Sequence, residues 1–197
     1  VKIPDGKFSR LGHTDQAYYI TQWYPKPAVF DGDGWHAMPY LTSGEFYSEF
    51  GTFDVHITVP ANYVIGATGM LVKGDAEEAW MDSLAKQPLS IVMSQGGAAF
   101  PPSSKELKTL HFRQDRVHDF AWFADKRFEV RRSSVMLPAS GRTVTTQVLF
   151  TPRNGALWDK AVEYVNESVR LYSQFVGDYP YDRATAVDGT ISAGGGM

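Results

Sequence analysis

The sequence predicts a mostly β chain: an antiparallel β-sandwich followed by one long α-helix and a closing strand. Three observations carry this. Up to Phe150, short β-branched or alternating runs recur with turn residues between them and no helical pattern intervenes. Strands joined this way pair antiparallel, because a parallel pair needs a crossover of a dozen or more residues, usually helical. Next, Leu157, Trp158, Ala161, Val162, Val165, Val169, Tyr172, Phe175 and Val176 recur at threes and fours, a helical stripe. Finally, residues 184–187 return to strand composition. A domain boundary is expected just before the helix, with a β domain over residues 1–151 and the start of a second domain over 152–197.

The elements follow in order. Val1 to Pro4 alternates like a strand begun earlier, so either a truncated N-terminus or an exposed edge is expected. Residues 17–20 are a short aromatic strand. Residues 21–31 hold Pro25 and Pro27, which cannot sit in a central ladder, so an extended irregular segment is expected. Residues 31–34 form an acidic turn, which lacks the closing Glu of a calcium loop, and residues 35–50 are read as a loop. The strongest strand is 52–59: Phe53, Val55, Ile57 and Val59 alternate with Thr52, Asp54, His56 and Thr58. Residues 63–68 are read as its return strand. Residues 69–85 are acidic, with at most one helical turn expected, and 89–93 are read as a short strand. Strands at 108–114, 120–124, 128–137 and 143–150 complete the β region, the last two joined by Pro138-Ala139-Ser140-Gly141. Asn154 is the expected helix N-cap, Gly177 the C-terminal stop, and Pro180 lies beyond.

Composition narrows function. The 197 residues are 43% hydrophobic and 21% charged with a net charge of -3, which argues against nucleic acid as the main partner. No apolar run approaches the roughly 20 residues of a spanning helix. With no cysteine, thiolate metal sites and a Cys nucleophile are excluded. None of the five histidines stands in an H-E-x-x-H pattern, no G-x-S-x-G elbow exists, and the terminal glycine run lacks the Lys of a phosphate loop. His111 and His118 lack a third ligand as a metal pair, and His56 is expected to face solvent beside Asp54. The final stretch, ATAVDGTISAGGGM, delivers three glycines whose bare backbone a ligand could lie against.

Three stretches in fixed order then resemble one family. Thr21-Gln22-Trp23-Tyr24-Pro25 is similar to a TQ-aromatic-E-P segment, and residues 53–60 with their return through Gly69 resemble an F-x-V-x-I-x-V-P strand. Residues 175–181 (FVGDYPY) resemble an fG-x-YPY helix end, and Gly195-Gly196-Met197 stands at the first three positions of G-x-M-E-N. The chain thus resembles peptidase family M1, the gluzincin zinc aminopeptidases of the aminopeptidase N and leukotriene A4 hydrolase group. The wording QWYPKPAVFD resembles bacterial members in particular.

The resemblance implies a saddle-like N-terminal β-sandwich and the helix and strand that open a thermolysin-like catalytic domain. It implies removal of N-terminal residues from peptides with a free N-terminus, using Zn²⁺ whose ligands lie after Met197, so residues 1–197 alone are expected to be inactive. Gln22, Tyr24, Gly195, Gly196 and Met197 are the implied substrate-binding residues. Tyr24 departs from the family, which often has an acid or amide there. A periplasmic or cell-surface location is also implied. Two alternatives stand beside this reading. One is a non-catalytic scaffold or peptide-binding protein of the same fold; the other is an unrelated carbohydrate-binding sandwich using Trp23, Trp35 or Trp80 as stacking platforms.

Overall fold

The computed structural model describes residues 2–5, 11–39, 47–90 and 99–189. The fold is mostly β, with antiparallel pairing in every strand ladder but the last. β1 (Leu11–Thr14) and β2 (Ala17–Ile20) form a hairpin, and β9 (Trp122–Asp125) and β6 (Val64–Ala67) extend it into a four-stranded sheet in the order β1-β2-β9-β6. A second sheet pairs β5 (Gly51–Pro60) with β8 (Leu107–Val117), and β7 (Met70–Leu71) lies on the far side of β8. A third runs β10 (Glu129–Met136), β11 (Thr143–Phe150) and β12 (Arg183–Val187). β3 (Val29–Asp31) and β4 (Gly34–His36) make a small ribbon over the acidic turn.

Three cores hold the layers together. Ile57 and Val59 of β5, with Leu110 and Phe112 of β8, meet Ile65 and Ala67 of β6 and Ala124 of β9 between the second and first sheets. Val64, from the opposite face of β6, packs with Val130 and Leu149 of the third sheet, with Phe128 just before β10 and with Met81 of a helix. Leu137, Val144 and Val169 form the third core, between the third sheet and the last helix. β6 is therefore buried on both faces, which explains its unbroken apolar run.

Several expectations change. Lys2 to Pro4 form no strand; only an isolated bridge joins Asp5 to His13. The acidic segment holds an 11-residue helix, α1 (Asp75–Ala85). Its acids are not a solvated loop: Glu77 pairs with Lys108 at 2.7 Å, Glu78 with Arg132 and Arg183, and Asp82 with Arg132 at 2.7 Å. Leu89 and Ser90 are not in a strand, and 91–93 lie outside the described residues. Residues 63–68 do not pair with β5: β6 crosses to β9, while β5 takes β8 over nine residue pairs. The segment read as irregular loop ends in the β3–β4 ribbon, where Asp31 accepts from the backbone N–H of Asp33.

The helical region is broken, not continuous. A 3₁₀ turn (Pro152–Asn154) leads into α2 (Gly155–Trp158) and then α3 (Ala161–Val176). Asn154 makes no side-chain cap; its amide donates to both oxygens of Asp188 at 3.0 and 2.8 Å. Gly177 does end α3, at φ 101°, a conformation that suits glycine. The expected stripe is only partly covered. Val165 and Val169 face the sheet with Asn166, which bonds Thr146 and Ser133, whereas Tyr172, Phe175 and Val176 are 69%, 79% and 80% exposed. β12 pairs parallel to β11, with α3 in the crossover, so residues 183–187 share a sheet with the β region.

Gly69 is required where β6 turns towards β7. Its φ is +87°, and an added Cβ would stand 2.5 Å from the Arg113 carbonyl oxygen. Leu149, fully buried on β11, should cost about 2–5 kcal/mol as Leu149→Ala, read by urea unfolding.

Candidate functional site

A cleft of about 360 Å³ opens between the edge of the first sheet and the edge of the third. Residues 66–69 form one wall; Arg183, Thr185 and Val187 of β12 form the other, and Thr21, Gln22 and Asp119 close one end. Gly66 permits the approach: a Cβ there would meet Leu149 and Val187 side chains at 3.3 Å.

The polar end of the cleft is organised by Asp119, which lies between β8 and β9. Its carboxylate accepts from the Gln22 amide at 2.5 Å, the Tyr24 hydroxyl at 2.9 Å, the Lys26 ammonium at 3.0 Å and the Phe120 backbone N–H at 2.7 Å. Burial by itself would raise the Asp119 carboxyl. The hydrogen bonds from Lys26, Tyr24 and the Phe120 N–H outweigh it and hold the carboxyl below the usual carboxylate range. The Tyr24 hydroxyl moves the other way. Burial, then the Asp119 hydrogen bond and charge, push its pKa well up, so it remains a donor. The prolines at 25 and 27 keep the segment out of any ladder, and the Trp23 indole donates to the Phe120 carbonyl at 2.9 Å, fastening it to the same turn.

Gln22 is unusual twice. Its backbone sits at φ 53°, a region non-glycine residues seldom occupy, and its side-chain Oε1 is buried with no hydrogen-bond partner among the described residues. Asp119 fixes the amide by its NH₂ end, which leaves the carbonyl end as an unmatched acceptor at the cleft. Gln22 also borders a second hollow, of about 470 Å³, with Tyr24, Lys26 and His36.

Of the expected substrate-binding residues, the structure brings Gln22 and Tyr24 onto one carboxylate. Gly195, Gly196 and Met197 lie outside the described residues. The residue missed by sequence reading is Asp119; its only signal was an acid in the short turn ending β8. The three tryptophans do not share a platform. Trp80 lies under the Lys108 ammonium at 4.0 Å, Trp23 meets the Tyr24 ring edge-on at 5.5 Å, and Trp35, 73% exposed, sits against Phe30 on the β3–β4 ribbon. His111 is matched not with His118 but with His56, and the His118 ring meets Phe50.

The cleft's own donors bear on the zinc that the resemblance implies. Among the described residues, Asp119 is the only carboxylate lining the cleft and no histidine lines it, and Asp119's near donors are a cation, an amide and a hydroxyl. That donor set does not fit zinc.

No family profile matches the chain, and no curated protein matches it. Among solved structures, it is similar to a two-domain M1 zinc metallopeptidase, a point mutant bound to L-arginine. The identity is 19% and the TM-score 0.46, over 78% of this chain and 30% of that one. The chain thus spans about a third of that protein's length. Among the described residues, no helix is long and apolar enough to cross a membrane.

Asp119→Ala should remove the Lys26 ion pair, strand the Tyr24 and Gln22 donors and cost about 1.5–3 kcal/mol. A carboxyl depressed on folding contributes stability that is complete above its unfolded value, about pH 4, and is lost as pH falls through the lower folded value. Urea unfolding at pH 7 and pH 3 should therefore show a smaller acid-induced loss for Asp119→Asn than for the parent chain.

Proposed function

We propose that this chain is the N-terminal β domain and the opening helix and strand of a zinc-dependent aminopeptidase, with the zinc ligands and catalytic base supplied by residues beyond 197. The observation that carries this reading is Gln22. Its strained backbone, anchored amide and unmatched buried carbonyl at the cleft make an acceptor in search of a donor. A peptide's free N-terminus offers such donors. The ordered sequence matches at residues 21–25, 53–60 and 175–181 support the same assignment. So does the open apolar flank of α3, where Tyr172, Phe175 and Val176 would meet the rest of a catalytic domain.

In this reading β12 leads the chain into Gly195, Gly196 and Met197, which hold the substrate backbone as an added strand. Gln22 accepts from the substrate's amine, and Tyr24 supports it through Asp119. The domain boundary falls near residue 151, and the protein works in the periplasm or at the cell surface. A second reading, a non-catalytic peptide-binding scaffold of the same fold, is favoured by one observation: Tyr24 replaces an acid, and Asp119 is already neutralised, so the cleft offers no free carboxylate to an ammonium.

Aminoacyl-p-nitroanilide hydrolysis by the complete gene product, with and without a metal chelator, decides between them. The peptidase reading expects turnover that chelation abolishes and zinc restores, with no turnover from residues 1–197 alone. Gln22→Ala should lower kcat/KM by roughly ten- to a hundredfold, the worth of a charge-assisted hydrogen bond. A product that binds peptides without cleaving them, even with added zinc, would establish the scaffold instead.

A further inference from the structure

The outer face of β5 and β8 carries a side-chain cluster that neither the cleft nor the sequence resemblance uses. Cross-strand pairing sets it up: His56 lies directly opposite His111, and Asp54, two residues before His56, projects from the same face. The two imidazoles stack with centroids 4.0 Å apart and planes 15° from parallel. Asp54 Oδ1 is 2.7 Å from His111 Nε2 and 4.0 Å from His56 Nδ1. One ligand atom from each of the three residues lies within 4.8 Å of the others.

The geometry points to a surface site for a divalent transition-metal ion, held by Asp54, His56 and His111. Two imidazoles and one carboxylate suit zinc, nickel or copper better than magnesium or calcium, which prefer all-oxygen shells. Zinc–nitrogen bonds of about 2.0–2.1 Å in a tetrahedron place donors roughly 3.3 Å apart. The Asp54–His111 contact is a hydrogen bond shorter than this, so it opens slightly as the ion takes the place of its proton. The other gaps close by side-chain rotation, which the exposure of Asp54 and His56 and the partial exposure of His111 permit: their side chains are 46%, 60% and 28% accessible. Water completes the shell on the open side.

The rest of the face is filled by its own pairs, so the site is confined to this row. Thr58 and Thr109 bond each other at 2.9 Å on one side, and Thr52 bonds Asp115 at 2.9 Å on the other. Arg113 is the charged neighbour. Its guanidinium lies 3.9 Å from Asp54 Oδ2 and 3.3 Å from Asp115, on the side of Asp54 away from the oxygen that meets the histidines. It leaves Oδ1 available, but its charge opposes a cation.

Calorimetric titration of the chain with Zn²⁺ in a non-chelating buffer tests this. One equivalent should bind saturably. His56→Ala and His111→Ala should each weaken binding at least tenfold, His118→Ala should leave it unchanged, and Arg113→Gln should strengthen it a few-fold by removing the opposing charge. Excess Mg²⁺ should not compete. A measurement that needs no variant is the NMR spectrum of the parent chain with substoichiometric Ni²⁺, in which the His56 and His111 ring signals should broaden before those of His13, His36 and His118. Absence of a one-equivalent zinc isotherm, or binding that survives His56→Ala/His111→Ala together, would overturn the assignment, as would broadening led by another histidine.

Discussion

Burial of β6 on both faces is the constraint on which the layering depends. Val64 turns to the third sheet and α1, while Ile65 turns to the second sheet. A strand with no polar position cannot lie at the surface of a two-layer sandwich, so a sheet must cover each side. That is why β6 leaves β5, its neighbour in sequence, and pairs with β9 in a middle layer. It also explains why the long β5–β8 ribbon stands outside it with one wet face. The third sheet and its helices then close the other side. The cleft follows from the same arrangement, because it is the seam where the middle sheet's last strand approaches the last strand of the third.

At the end of that seam, electrostatics takes over from packing. Asp119 receives donors from a segment nearly a hundred residues earlier in the chain, and a half-buried carboxylate with so many partners is costly to disturb. Its effect is positional. It holds a proline-stiffened loop that no strand ladder secures, and it turns Gln22 so that one end of the amide is used and the other is not. α1 is held similarly, with Glu77, Glu78 and Asp82 all paired to basic residues on strands.

The class of fold was legible because period-two alternation in residues 52–59 and the helical stripe after residue 154 are local signals. The sheet order was not. Whether residues 63–68 return to β5 or cross to β9 depends on which faces need covering, and a turn beside Pro60 does not reveal that. The acids of α1 were opaque for a similar reason: their partners, Lys108, Arg132 and Arg183, lie between 31 and 105 residues away. Asn154 had the chemistry of a cap, but Asp188, which claims its amide, comes after the helix. At the site, the Gln22 and Tyr24 side chains could be singled out by motif, whereas Asp119 looked like any acid in a turn. The pairing of His56 with His111 required the β5–β8 register, which parity along one strand cannot supply.

β12 is fastened near both its ends: Arg183 to Glu78 on α1, and Asp188, just past the strand, to Thr151 and Asn154. It is also the last strand of its sheet among the described residues. An edge held in this way has given up its conformational freedom during folding. An extended chain that added to it would lose only its own disorder, and more of the gross hydrogen-bond energy would survive as affinity. The ion pairs of a helix remote in sequence thus lower the entropic cost of adding a strand at that edge.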